Sequence, residues 1–477
     1  MEASLKTNLF WDYLNRFGST AFGLVTSIIL SRILSPNEFG IVGISIAVTS
    51  LGGIFLNLGF VNGIIQSKIL DNQILSTVFY LNLAIAILIY FGIFISSDWI
   101  CNYYEINQLG AILKVSSIAF IFNAMSLISY AQLNREMNFK LIAGIDLSCA
   151  LLSGSLGIYL ALNQYGVWSI VYQQLSNSML MFLCFYYFKK WRPLLYFNLS
   201  SISSLFKFGK FIFLSNLLET VYSRFDILII AKIFNVNTLG LYTRAQGLEL
   251  SIRNLSSSSI ITVLFPAFSN VKENIYLLKK LYYKYFEIIC FTFFLLGGIF
   301  YLISEQLFII LFGIKWVISS LFFKLMIIAA FSYPLCNIGN SILQARGNSR
   351  MVLIFEISKR IIQIPSYFIA YYYGITDFLI SYILLGLLNT LINISFVKIE
   401  IGISNLKTLK ILLLYLVPTL LLVFIVQFKF ILIPVSTPFV NSIQNISFFI
   451  IGYLLIHYFN KSKPFFSMLS IIKSNFN

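Results

Sequence analysis

Between Leu14 and Phe459 the chain keeps returning to one pattern, an apolar run closed by a short polar connector, and each run has the roughly 20 residues that a helix needs to span a bilayer. Fourteen such runs can be marked, at 14–34, 39–64, 75–96, 111–130, 141–162, 166–188, 208–234, 239–265, 282–303, 318–343, 351–373, 376–397, 409–427 and 444–459. In hydrocarbon an open chain must satisfy its own backbone polar groups, and the period-2 alternation of barrel strands is missing, so every run reads as a helix. The expected fold is an all-α polytopic membrane protein with about 14 transmembrane helices. Composition agrees, with 59% hydrophobic and 10% charged residues, against roughly a quarter charged in a soluble domain. An ordinary soluble enzyme is excluded.

The net charge of +16 would suit nucleic acid if the cations were clustered, but they are scattered through short connectors and no nucleic-acid partner is expected. Their distribution reads instead as orientation. With the N-terminus inside, the inner connectors take Lys189, Lys190, Arg192, Lys279, Lys280, Arg346, Arg350, Lys461 and Lys463 among others, while the outer ones hold Arg32, Lys232, Arg244, Lys315 and Lys429. Both termini are therefore expected in the cytoplasm, with an even number of spans, and the first run is expected to be an uncleaved span. Cys101, Cys149, Cys184, Cys290 and Cys336 stand far apart with no CxxC or Cys/His pairing, so neither a metal site nor a disulfide framework is indicated. The single histidine, His457, closes the last run and reads as an interfacial residue. No catalytic residue is expected, and no GxxxxGK[ST] loop is present for ATP.

Sliding the sequence by two hundred positions lays Ser31–Gly40 over Ala231–Gly240 and Thr20 over Thr220, and Tyr165-Gly166-Val167 matches Tyr373-Gly374-Ile375 at a slightly larger shift. Six runs separate the copies. An even number keeps both copies in one orientation, giving two parallel six-helix bundles with a substrate path between them. The expected organisation is a first bundle at 1–190, a cytoplasmic linker at 191–207, a second bundle at 208–400, and two added spans with a tail at 401–477. The linker, with Trp191, Arg192 and Pro193, could form a short interfacial helix whose cations meet anionic lipid head groups.

Charged side chains inside spans cost about 2.5 to 3.5 kcal/mol each on insertion scales, so they are the first candidates for function. The seventh run carries Asn216, Thr220 and Arg224 on one helical row, with Ser215, Glu219 and Ser223 beside it and Asp226 further on; the eighth continues with Gln246, Glu249 and Arg253. These rows read as the wall of an aqueous cavity. On the first run Arg16, Thr20, Gly23 and Ser27 share a row, with Asn15 and Ser19 adjacent, which suits either close helix packing or cavity lining. Glu356, Lys359 and Arg360 sit within one turn, where they can pair, as Glu249 can with Arg253. A cationic cavity in a largely neutral chain suits an anionic substrate, because guanidinium groups bind phosphate oxygens through several directed hydrogen bonds. Arg224 and Arg253 lead, with Arg16, Lys359 and Arg360 next. Glu219, Asp226 and Glu249 either hold a coupling proton or sodium ion or neutralise those cations. No other cofactor is expected.

Ile29–Gly40, Leu56-Asn57-Leu58-Gly59-Phe60, Ile64-Ile65-Gln66, Arg224-Phe225-Asp226, Ala231-Lys232-Ile233, Leu239–Ala245 and Phe265-Pro266-Ala267-Phe268-Ser269 together resemble the Wzx-type bacterial polysaccharide flippases, in particular the colanic-acid and lipopolysaccharide exporter branch. The likeness runs from about Trp11 to Ile375 and fades in the last three spans. It implies the fold of the multidrug/oligosaccharidyl-lipid/polysaccharide exporter superfamily, residence in the bacterial inner membrane, and an undecaprenyl-pyrophosphate-linked oligosaccharide moved by alternating access. Membrane lipids and the polysaccharide polymerase machinery are the partners the resemblance suggests. Asn57 departs from the pattern, standing where that branch is expected to carry an acid. An ion-coupled multidrug antiporter and a lipid II flippase of the same superfamily are the alternatives. A pathway polymerase or ligase would call for a large outer loop with acid/base or arginine residues, and the outer connectors here are short.

Overall fold

The computed structural model describes residues 2–56, 60–66, 71–198, 203–432 and 438–476. Among them there is helix and no strand, as a chain without water to bond its backbone requires. The chain divides into two compact units, Met1–Thr243 and Arg244–Asn477. The first holds α1 (Glu2–Ile33), α2 (Pro36–Gly53) with a 3-10 turn at Ile54–Leu56, α3 (Phe60–Gln66), α4 (Asn72–Tyr104), α5 (Leu109–Ser116), α6 (Ala119–Arg135), α7 (Phe139–Leu162), α8 (Trp168–Lys189), α9 (Ser203–Ile233) and the start of α10 (Val236–Ser269). The second holds the rest of α10, α11 (Ile275–Phe312), α12 (Val317–Ala329), α13 (Ser332–Ala345), α14 (Ser349–Tyr373), α15 (Ile375–Ile401), α16 (Asn405–Leu432), α17 (Pro438–Phe459) and α18 (Lys463–Phe476).

Nine helical segments among the described residues are long and apolar enough to cross a membrane, and the chain is a multi-pass membrane protein. The remaining runs marked in the sequence lie on α1, α8, α9, α10 and α14. Four of those five helices carry the intramembrane charges singled out above, and α8 carries Gln173, Gln174 and Asn177. Polar residues that lower the hydropathy of a helix are thus concentrated where function was sought. Asn57, with its flanking Leu58 and Gly59, and the side chains of Ser215 and Asn216 lie outside the described residues.

The internal repeat is visible in the turns. α1 ends at Ile33 and α9 at Ile233, and Ser35 and Asn235 cap the helices that follow. Ser35 closes a capping box, its hydroxyl accepting from the Glu38 backbone N–H while its own N–H donates to the Glu38 carboxylate at 2.7 Å. Asn235 accepts from the Thr238 N–H at 2.7 Å. Two orphan donors are satisfied in the first turn, and Ser35→Ala is expected to cost about 1 kcal/mol of stability, read as a drop in thermal midpoint. Where the capped helices meet, the backbones touch: a Cβ on Gly40 would stand 2.0 Å from the Val236 carbonyl oxygen, and one on Gly240 would stand 1.7 Å from that of Pro36.

Further along, the two halves stay in step. Asn138 caps α7 and Asn348 caps α14, each side-chain oxygen accepting from the backbone N–H three residues on. The same corner carries an ion pair of inverted polarity, Glu136 with Lys189 in the first unit and Arg346 with Glu400 at 3.2 Å in the second. Charge at that corner is retained while its sign is exchanged. α16 and α17 pack on α11, where Gly298 lies directly under the Phe449 ring. Lipid tails are as apolar as these side chains, so close packing of this kind, rather than escape from water, holds such helices together.

Two expectations differ from what is seen. Residues 191–198 form no helix but a strap along the start of α4, with the Trp191 indole donating to Asn72 Oδ1 at 2.8 Å, the Leu194 N–H to Ser76 at 2.8 Å and the Asn198 N–H to Thr77 at 3.3 Å. Pro193 lacks the N–H that a helix would use, and the Ser76 and Thr77 hydroxyls accept the backbone donors of Leu194 and Asn198 instead. His457 is fully buried rather than interfacial, stacked on Tyr415 and edge-on to Tyr453 and Phe291. α16, α17 and α11 converge there, and three aromatic rings enclose the imidazole.

Candidate functional site

The polar row on α9 survives as a graded face: Glu219 and Ser223 are exposed, Thr220 and Arg224 half-buried, and Asp226 buried. Residues four apart share a stripe, which accounts for Glu219 with Ser223 and Thr220 with Arg224; Asp226 returns to the Glu219 stripe seven residues on, and its burial reflects what packs on α9 there rather than helical spacing. Arg224 has a buried Nε with no hydrogen-bond partner, and no carboxylate stands within ion-pair distance of it among the described residues. It belongs to the first unit.

Arg253, in the second unit, is differently placed. Its guanidinium lies 3.2 Å from the Glu249 carboxylate one turn earlier and 4.5 Å from the Tyr333 ring centroid. It also lines a cavity of about 150 Å³ formed with Phe294, Tyr301 and Phe331 from α11 and α13's leading turn, and Leu416 and Thr419 from α16. Apart from Arg253, the lining is nearly all hydrocarbon and aromatic ring. Such a hollow accepts an apolar chain and offers one cation at its wall, a combination suited to an amphiphile with an anionic group.

The other candidates are already engaged. Arg16 is largely exposed and pairs with Asp12 at 2.9 Å. Lys359 and Arg360 both bind Glu356, at 3.0 and 3.6 Å, and Asn340 adds an amide bond to the same carboxylate. Between packing and lining, the α1 row is open: Arg16, Thr20 and Gly23 are exposed, and nothing lies within 4 Å of where a Gly23 Cβ would be. Packing on that helix comes from the neighbouring row, where Gly18 meets the Leu147 side chain of α7.

Three features escape the sequence. Arg244, placed there in an outer connector, is inside α10 with its guanidinium 4.0 Å from the Phe312 ring and 5.9 Å from that of Trp316. Cys149 and Cys184 bring their sulfurs to 3.9 Å as free thiols. Asp146, a lone acid in the run 141–162, accepts from Asn15 Nδ2 at 2.7 Å. The signal that could have found Asp146 is its isolation among apolar residues.

The stretch 29–321 matches the family described as "Polysaccharide biosynthesis protein". The chain is 25% identical over 377 residues to the "Lipopolysaccharide biosynthesis protein WzxC" of Escherichia coli (strain K12), covering 78% of this chain and 76% of that one. It is 23% identical over 267 residues to the "Succinoglycan biosynthesis transport protein ExoT" of Rhizobium meliloti (strain 1021), covering 56% and 54%. In fold it is similar to "Lipid II flippase MurJ, inward closed conformation", with a TM-score of 0.76, 17% identity and coverage of 95% of this chain and 99% of that one. More than half of the sequence carries the family pattern, and the chain belongs to the polysaccharide biosynthesis protein family of multi-pass membrane proteins.

Proposed function

We propose that the protein is a flippase, a transporter and not an enzyme, that carries an oligosaccharide linked to undecaprenyl pyrophosphate across the cytoplasmic membrane for assembly of a surface polysaccharide. The family it belongs to and the names of its relatives support the pathway. One observation carries the chemistry: Arg224 is a half-buried arginine within a long helix whose Nε has no partner and which has no acid against it among the described residues. A cation left in that state favours an arriving anion, and the fork of a guanidinium matches phosphate oxygens.

In this reading the head group enters from the cytoplasm and leaves outside by alternating access, while the prenyl chain remains in lipid. Residues 1–190 and 208–400 are its two six-helix bundles, 191–207 its linker and 401–477 an addition, with both termini cytoplasmic. Arg224 and Arg253 bind the pyrophosphate, assisted by Arg16, Lys359 and Arg360, and Glu219, Asp226 and Glu249 hold a coupling proton or sodium ion or balance the arginines. The polymerase of the pathway receives the product.

The test is a deletion strain complemented with variants. Lipid-linked repeat units accumulate on the cytoplasmic leaflet in the deletion, the wild-type gene clears them, and Arg224→Ala lowers export roughly tenfold or more, as losing a charge-assisted hydrogen bond implies. Unaltered glycan export in the deletion strain overturns the assignment, and full rescue by Arg224→Ala overturns the role of this arginine.

A further inference from the structure

The repeat supplies an internal control for one half-buried acid. Counted from their matching asparagine caps, Asp146 on α7 and Glu356 on α14 occupy the same place, each eight residues into the element. Glu356 is held by Lys359, Arg360 and the Asn340 amide. The places that correspond to the two cations are Cys149 and Ala150 on α7. Asp146 therefore meets a carboxamide where its counterpart meets two positive charges.

That carboxamide, Asn15 on α1, donates Nδ2 to Asp146 Oδ2 at 2.7 Å. Two acceptors remain, Asn15 Oδ1 and Asp146 Oδ1, both closed to solvent and both without a donor. No other group among the described residues provides one. On α1, Asp12 and Arg16 bind each other at 2.9 Å. On α7, Lys140 lies over the Trp11 ring, and the Cys149 sulfur faces Cys184 of α8. On α6, Tyr130 accepts from Asn134, and Glu136 at the end of that helix is taken by Lys189 of α8.

We propose that Asp146 is a proton-binding site and that Asn15 is its positioning partner. A proton taken from water onto Oδ1 converts the carboxylate to a neutral acid, and the new O–H donates to Asn15 Oδ1 while Nδ2 continues to donate to Oδ2. The product is an acid–amide ring with both orphan acceptors satisfied. Releasing the proton restores the carboxylate and opens the ring. A sodium ion would need several more oxygen ligands than these two, so a proton is the cation that fits. Because the ring joins α1 to α7, its closure latches the helix that carries the exposed row of Arg16 and Thr20. On the transporter reading, on which this last step rests, proton uptake at Asp146 is coupled to movement of α1 during passage of the head group.

Infrared difference spectra of the purified full-length protein in phospholipid vesicles, recorded between acid and alkaline pH, test the site without any assay of transport. The wild type shows a carboxylic-acid carbonyl band that titrates, and Asp146→Asn, whose amide can pair with that of Asn15 through two hydrogen bonds, abolishes it. Asn15→Leu retains the band but moves it to higher frequency, since the acid carbonyl no longer accepts from the amide; this variant decides the matter if Asp146→Asn does not fold. A spectrum that neither substitution changes overturns the proton site. Glycan export measured against external pH tests the coupling separately: Asp146→Asn flattens the pH dependence of the wild type. A titrating band lost in Asp146→Asn together with an unchanged export profile overturns the link to transport and leaves the site standing.

Discussion

Gly240→Ala yields no folded protein. The added methyl would lie 1.7 Å from the Pro36 carbonyl oxygen and 3.0 Å from the Gly40 nitrogen, and both obstacles are backbone. Overpacking against a flexible side chain typically costs 1 to 3 kcal/mol because the neighbour turns away. Here neither neighbour can turn, and Pro36 is further fixed as the first residue of a capped helix. The expected destabilisation exceeds about 4 kcal/mol, beyond what most single substitutions produce, and it is read as the loss of a monodisperse peak on gel filtration in detergent. Gly40→Ala behaves alike, for the same reason at the matching turn. Gly247→Ala on α10 is the contrasting case, with nothing within 4 Å of the new Cβ, and it stabilises by roughly 0.5 to 1 kcal/mol through helix propensity.

Glu249→Ala gives the second large effect. Removing the carboxylate leaves Arg253, a half-buried cation beside an apolar cavity, with the Tyr333 ring as the one group facing its charge among the described residues. Breaking a buried pair by removing one partner costs about 3 to 5 kcal/mol, because the remaining charge stays desolvated. Thermal unfolding followed by circular dichroism should show that loss. Removing both groups, in Glu249→Ala with Arg253→Ala, recovers much of the stability, as the uncompensated charge is gone. If Arg253 also binds the pyrophosphate, the double variant is stable but exports poorly. Stability recovered together with full export would assign the pair to structure alone.

Asp146 and Glu356 show why the candidate site was only partly legible. Both are acids in apolar surroundings, and the sequence shows each plainly. For Glu356 the cations are on its own helix, three and four residues on, so helical spacing reveals the pair. For Asp146 the partner is 131 residues away in sequence, and no periodicity links positions that far apart. The same distinction separates Arg253, whose acid is one turn back, from Arg244, whose ring neighbours Phe312 and Trp316 come from a distant helix and turn. His457 follows it too, because beyond Tyr453 one turn earlier it is the remote rings of Phe291 and Tyr415 that enclose it.

Hydropathy along the chain determined that this is an all-helical membrane protein, since a bilayer leaves a backbone few ways to satisfy its hydrogen bonds. The repeat was legible as well, from residues matched at a fixed shift, because the recurring turn residues, from Ser35 and Gly40 to Asn235 and Gly240, follow local rules of capping and close approach. The pairs within one helix, Glu249 with Arg253 and Glu356 with Lys359 and Arg360, follow from spacing, while tertiary structure alone decided which of the remaining intramembrane charges meet a partner. Among the described residues, Arg224 has no acid against it and Asp146 no base. Pairing across helices depends on which faces meet, and helix association within a membrane is set by the packing of small and large side chains rather than by any local signal.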